Sequence, residues 1–173
     1  MIIRPAEARD IAQIIDIWNP VIRDTAATFT TEEKTPAGLA TTMADREAAG
    51  HAFLVATDAA QVLGFATCFP FRGGPGYVRT LEHSVILAPQ ARGQGCGRAL
   101  VSALQDAALG AGARHLIAGV SGENLGAVEF HKAIGFRQVG VLPGVGYKFG
   151  RWMDLILLQK TLVDLPDNPH ETG

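Results

Sequence analysis

The chain is 173 residues long, 47% hydrophobic and 18% charged, which suits one domain with a single sizeable core. Fifteen lysines and arginines against seventeen aspartates and glutamates give a formal charge of −2, so no global basic field exists to hold nucleic acid or an anionic membrane. Two cysteines, Cys68 and Cys96, are too few and too far apart for a zinc cluster; no metal is expected, and small molecules are left as partners.

In chain order, Met1-Ile2-Ile3-Arg4-Pro5 opens a strand over 2–5. It lacks the basic region and apolar stretch of a signal peptide, and no apolar run of about 18 residues follows, so a cytoplasmic protein without membrane partners is expected. Asp10 reads as the N-cap of a helix with Ile11, Ile14, Ile15 and Trp18 on one face. Arg23 to Ala37, polar and threonine-rich, is a long loop carrying Phe29, and a second helix is expected from Ala37 to Ala49. His51 to Thr57 and Val62 to Phe69 read as paired strands, followed by the Gly/Pro-rich segment Pro70 to Gly76 and a central strand from Thr80 to Ala88. A helix from Gly97 to Leu109 spaces Leu100, Leu104 and Ala108 four residues apart and stops at Gly110. Arg114 to Val120 is a buried strand, and Asn124 caps a helix ending near Gly135. Phe136 to Leu142 and Trp152 to Leu162 are the last strands, the second β-rich enough to lie inside the sheet. The domain therefore covers 1–163, and 164–173, without periodicity, reads as a tail.

Between the central strand and its following helix lies Arg92-Gly93-Gln94-Gly95-Cys96-Gly97-Arg98. Three glycines without Cβ let backbone close in on a ligand, and the unpaired N–H groups of the next helix's first turn can face an anion. A dinucleotide fits poorly, because the third glycine position of the Rossmann fingerprint and its later acidic residue are missing. ATP and GTP fit no better, since no Gly-Lys-Ser or Gly-Lys-Thr follows. A plain glycine-rich turn is the bland alternative.

Arg92-x-x-Gly95-x-Gly97 resembles the pyrophosphate loop of the GNAT superfamily of N-acetyltransferases. Four further blocks, in order, narrow the resemblance: Tyr77-x-x-Thr80-x-Glu82-x-Ser84-Val85, Ser121-Gly122-Glu123-Asn124, Phe130-His131 through Gly135-Phe136, and Lys148-Phe149-Gly150-Arg151-Trp152-x-Asp154. Together they are similar to the phosphinothricin and methionine sulfoximine N-acetyltransferases, from Ile3 to about Leu162. The resemblance implies a mixed α/β fold, with a mostly antiparallel twisted sheet, flanked by helices, that splays between its fourth and fifth strands. It implies acetyl-CoA as cosubstrate, with Arg92, Gly93, Gln94, Gly95, Cys96, Gly97 and Arg98 at the pyrophosphate and Asn124 beside the pantetheine arm. It also implies a homodimer.

In that frame, backbone N–H groups near Val85, Ile86 and Leu87 stabilise the thioester oxygen, and Glu82 is the base that frees the amine. The plain alternative for Glu82 is a solvated or salt-bridged strand glutamate. His131 stands close to where the sulfur leaves and can return its proton; it can equally be a packed, hydrogen-bonded residue. Asn124 can cap its helix instead of touching the cofactor. Cys96 reads as an inert packing thiol, its rival being a reactive one.

For the acceptor, Phe29, Phe69, Phe71, Arg72, Tyr77 and Arg79 crowd onto neighbouring segments. An arginine clamp with aromatic walls suits an amino acid, with Arg72 the first choice and Tyr77 the second; exposed loop charges are the alternative. The chain departs from its relatives at Val78, where an arginine is common, at Ile86 in place of a tyrosine and at Ala127 in place of a serine. The Lys148 to Asp154 block either completes a neighbouring subunit's pocket or forms a structural salt-bridge cluster. The reaction expected is direct acetyl transfer to an α-amine; the rivals are another amine acceptor and a CoA-binding module without activity.

Overall fold

The elements of the computed structural model are β1 (Ile2–Pro5), α1 (Ile11–Asp24), α2 (Pro36–Ala48), β2 (Phe53–Asp58), β3 (Gln61–Pro70), β4 (Thr80–Leu87), α3 (Cys96–Gly110), β5 (His115–Ser121), α4 (Leu125–Ala133), β6 (Arg137–Lys148) and β7 (Arg151–Thr161). Residues 1–163 are described; the tail expected at 164–173 lies outside the described residues.

All seven strands share one sheet in the order β1-β2-β3-β4-β5-β7-β6, with β7 inside it as its β-rich sequence suggested. Every neighbouring pair is antiparallel except β4 and β5, which run parallel from Thr80↔His115 to His83↔Ala118 and there part company. Both strands continue, β4 to Leu87 and β5 to Ser121, so the expected splay is present.

Period-two alternation sends each strand's side chains to two cores. Leu54 and Ala56 of β2 join Leu100, Leu104 and Ala108 of α3 and Val128 of α4 on one face. Phe53 and Val55 join Ile14 of α1 and Leu39 of α2 on the other. Leu100 and Leu104, fully buried at their four-residue spacing, each contribute roughly 2 kcal/mol of apolar burial.

Two expectations need correction. Asp10 occupies the cap position of α1, but its side chain makes no cap bond. Its oxygens accept from Nη1 and Nη2 of Arg4, at 2.7 and 2.8 Å, and from the Glu7 N–H at 2.8 Å. A bidentate charge-assisted pair outcompetes a neutral amide, and it ties β1 to the start of α1.

β6 does not end at Leu142 but runs on to Lys148. Pro143 and Gly144 look like breakers, yet β6 is the sheet edge, where a bulge tolerates them. Register shifts between Leu142 and Gly146, and the Gly144 N–H donates to the Asp154 carboxylate at 2.9 Å. Phe149 and Gly150, both at positive φ (54° and 73°), form the two-residue turn into β7.

Candidate active site

The parting of β4 and β5 leaves backbone groups free, and alternation identifies which ones. Residue 88 donates to Leu63, Thr80 accepts from Phe71 and the Ile86 carbonyl lies against Gly64, so even-numbered backbone groups of β4 point to β3. Odd-numbered groups point to β5, as the Arg79 carbonyl does in accepting from Arg114 just before the strand. Beyond His83 they have no β5 partner. Val85 and Leu87 therefore present their N–H groups to the gap. The Ile86 backbone, expected with them, faces β3 instead; its side chain packs in the α1/α2 core.

A cavity of about 950 Å³ passes through this gap. Phe29, Phe69, Glu82 and Ser84 wall one part of it, and Val85, Leu87, Gly93, Gly97, Asn124, Phe130 and His131 another. The glycine run sits at its rim. Gly93 and Gly95 adopt positive φ (74° and 78°), Gly95 as the residue before α3. The first-turn N–H groups of α3, which have no partner within the helix, lie behind this turn at the end of a helix whose dipole favours an anion. Gly97 has a different reason for lacking a side chain: a Cβ there would meet Phe130 and Leu87 at 3.2 and 3.3 Å.

Within the run, Arg92, Gln94 and Arg98 are exposed, and Gln94 braces the turn through the Gln90 carbonyl at 2.6 Å. Cys96 points into the core, and burial pushes its thiol above the usual range, as it does for Cys68. Both behave as packing residues. Asn124 accepts from the Ala127 N–H at 3.3 Å, so its oxygen caps α4 while the residue also lines the cavity.

Glu82 is half-buried on the α1/α2 side of β4, its Oε1 beside Gly119 of β5. Burial raises its pKa above the ordinary carboxylate value, and the charge of Arg72 pulls modestly back. A carboxyl held in this way is easier to protonate, which suits a group that must receive a proton.

His131 meets a residue that sequence reasoning missed. Its Nε2 lies 3.1 Å from the Nε2 of His83, while His83 Nδ1 contacts the Ile117 carbonyl at 3.0 Å and His131 Nδ1 the Ala127 carbonyl at 2.7 Å. Three contacts call for three protons, and two neutral imidazoles carry two. Burial opposes the third: it drives His83 down to about 3, helped by His131, and lowers His131 as well. The only available signal for His83 was its place next to Glu82, on the opposite face of the strand.

The acceptor residues divide. Phe29 reaches the cavity wall; Arg72 lies outside it, over the Phe71 ring at 5.2 Å, yet close enough to act on Glu82. Tyr77, on a short 3-10 turn, stacks edge-on against Phe71 and is exposed, and Arg79 sits before β4 at the end of the strand away from the glycine run. Neither is in the wall. The charges of the Lys148 to Asp154 block go to three separate places. Lys148 is buried against backbone carbonyls, Arg151 pairs with Glu123 at 2.8 and 2.6 Å, and Asp154 accepts from Gly144. This favours the structural reading of the block, though not as one cluster.

Among the described residues no group of three or more His, Cys, Asp or Glu is placed to hold a metal, and no helix is long and apolar enough to cross a membrane.

Residues 16–136 match the acetyltransferase (GNAT) family. The chain is 34% identical over 162 residues to the L-methionine sulfoximine/L-methionine sulfone acetyltransferase of Salmonella typhimurium, covering 94% of this chain and 95% of that one. It is 34% identical over 163 residues to the phosphinothricin N-acetyltransferase of Streptomyces coelicolor, covering 92% and 95%. Among solved structures it superposes, with a TM-score of 0.88 and 31% identity, on a GNAT superfamily phosphinothricin acetyltransferase from Sinorhizobium meliloti in complex with acetyl-CoA, covering 92% of this chain and 87% of that one.

Proposed function

The chain belongs to the acetyltransferase (GNAT) family, and on that premise we propose that it moves acetyl from acetyl-CoA to the α-amine of a small amino acid or analogue, of the phosphinothricin or methionine sulfoximine type. The observation that carries this reading is the desolvated Glu82 at the gap between β4 and β5, with the unpaired Val85 and Leu87 amides on the same strand. The names of the relatives support the acceptor class.

The open turn at Gly93 and Gly95 and the free first-turn amides of α3 fit the pyrophosphate, with Arg92 and Arg98 flanking it and Asn124 along the pantetheine arm. Bound there, acetyl-CoA supplies the acetyl group as a thioester. Glu82 takes a proton from the acceptor ammonium, which has no lone pair until then. The Val85 and Leu87 amides face the carbonyl oxygen as it gains charge, in place of the broader 85 to 87 set. Cys96, buried and hard to ionise, offers no acyl-enzyme route, so attack is direct within a ternary complex. His131 lines the wall with both ring nitrogens engaged, Nδ1 with the Ala127 carbonyl and Nε2 with His83, so it gives a proton to the departing sulfur only by breaking one of these contacts.

We also place the enzyme in the cytoplasm, where its two free thiols persist, and infer a homodimer. Support for the dimer comes from β6 and β7, which expose Val139, Val141, Val145, Tyr147 and Trp152. A thiol-release assay over the amino acids, methionine sulfoximine, methionine sulfone and phosphinothricin tests the acceptor class. Turnover of one of these is expected; turnover of spermidine or a peptide with none of them active refutes it.

A further inference from the structure

The segment 25–30, joining α1 toward α2, forms one side of the cavity through Thr25 to Thr30, yet it has no helix or strand of its own to hold it. Its support from outside the segment comes through Lys148, near the tip of the β6–β7 hairpin. Its ammonium is buried, and its three donors go to the carbonyls of Ile22, Thr25 (2.7 Å) and Thr28 (2.9 Å). Ile22 lies in the last turn of α1, whose carbonyls have no helical partner, so a cation there completes the helix end. Together with the Thr25 hydroxyl, which donates to the Val21 carbonyl at 2.7 Å and accepts from the Ala27 N–H at 3.2 Å, Lys148 fixes where α1 stops and how the chain leaves it.

The same hairpin shapes the cavity a second time. Gly146 is buried, and a Cβ at that position would collide with the Phe29 ring. Phe29 is seated directly on a glycine of β6 and turned into the wall that Glu82 shares.

We propose that Lys148 and Gly146 are positioning residues for the acceptor. Through them the β6–β7 hairpin holds 25–30, with Phe29, against the Glu82 side of the gap and sets which amines fit there. The proposal rests on the acetyl-transfer reading above for its link to the acceptor. It also gives the Lys148 block a duty within its own chain: it supports the pocket without touching the reacting atoms.

The test is Lys148→Met, which keeps length and apolar bulk while removing all three donors, beside Gly146→Ala, which leaves Lys148 intact and displaces Phe29. In Lys148→Met the amides of 25–30 exchange with solvent at least about tenfold faster than in the wild type. In both variants KM for the amino-acid acceptor rises at least about tenfold, while acetyl-CoA affinity by calorimetry stays within about twofold. A general loss of structure would move both ligands together. Unchanged exchange and unchanged acceptor KM, or equal losses for acceptor and acetyl-CoA, overturn the proposal. If Lys148→Met does not fold, the KM split in Gly146→Ala decides alone. If the wild type turns over no amino acid, the functional reading fails, and the exchange comparison still decides whether Lys148 holds the segment.

Discussion

At Glu82 burial raises the pKa, and the sign of that shift fixes two measurable outcomes. The base form appears only as pH climbs past the raised value, so kcat/KM rises along a limb displaced above the ordinary glutamate value of about 4.3. Glu82→Gln removes that limb and lowers kcat/KM about 10²- to 10⁴-fold, as a pH profile reads directly; His131→Phe costs less. Stability moves the other way. A carboxyl whose folded pKa is raised stabilises the fold fully below its unfolded pKa and loses that contribution as pH rises through the folded value. Thermal melts should therefore show Glu82→Gln gaining on the wild type as pH rises above the ordinary glutamate value. Glu82 was legible because a spaced motif surrounds it. His83 was not, since a buried histidine on a strand carries no pattern of its own, and its partner His131 lies 48 positions away in the chain.

Among the elements, α3 and its approach were the most readable, and the glycines there divide by mechanism. Gly95 has φ of 78° with open space where a Cβ would go, so Gly95→Ala carries a purely conformational penalty of about 1 kcal/mol. It should lower the melting temperature by roughly 2–4 °C and weaken acetyl-CoA binding by calorimetry, because the turn that presents the α3 amides must shift. A melt unchanged from the wild type would contradict this. The spacing of glycines alone could not separate this role from that of Gly97, whose lack of a side chain answers to Phe130 and Leu87. The β6–β7 hairpin was the least readable element. Pro143 and Gly144 signal a break to any local reading, and only the sheet's strand order, with β6 at the edge, explains why a bulge forms there instead. Tyr77 and Arg79 were read from loop composition, which says which residues are near in sequence and nothing about where the chain aims them.

Across the whole molecule, the alternation of strands and helices followed from order along the chain and the parting of β4 from β5 from the family resemblance, whereas the single core expected from length is in fact two, one on each face of the sheet. The hairpin's outer side chains speak to assembly. Trp152 is 68% exposed and packs its ring 4.8 Å from that of Tyr147, a costly display for a monomer. Sedimentation velocity should find a dimer for the wild type and a monomer for Trp152→Glu, with acetyl-CoA affinity retained; a monomeric wild type would contradict the inferred dimer. Lys148 lies one residue from Tyr147, so pairing of two copies on that surface would stiffen the support beneath 25–30 as well.

The two amides that β4 leaves unclaimed, at Val85 and Leu87, belong to the main chain. Genetics that exchanges side chains is nearly blind to them: apart from proline, every replacement keeps the same N–H. A comprehensive substitution library would score these positions by packing alone, and chemical synthesis that swaps one amide for an ester would expose what such a library overlooks.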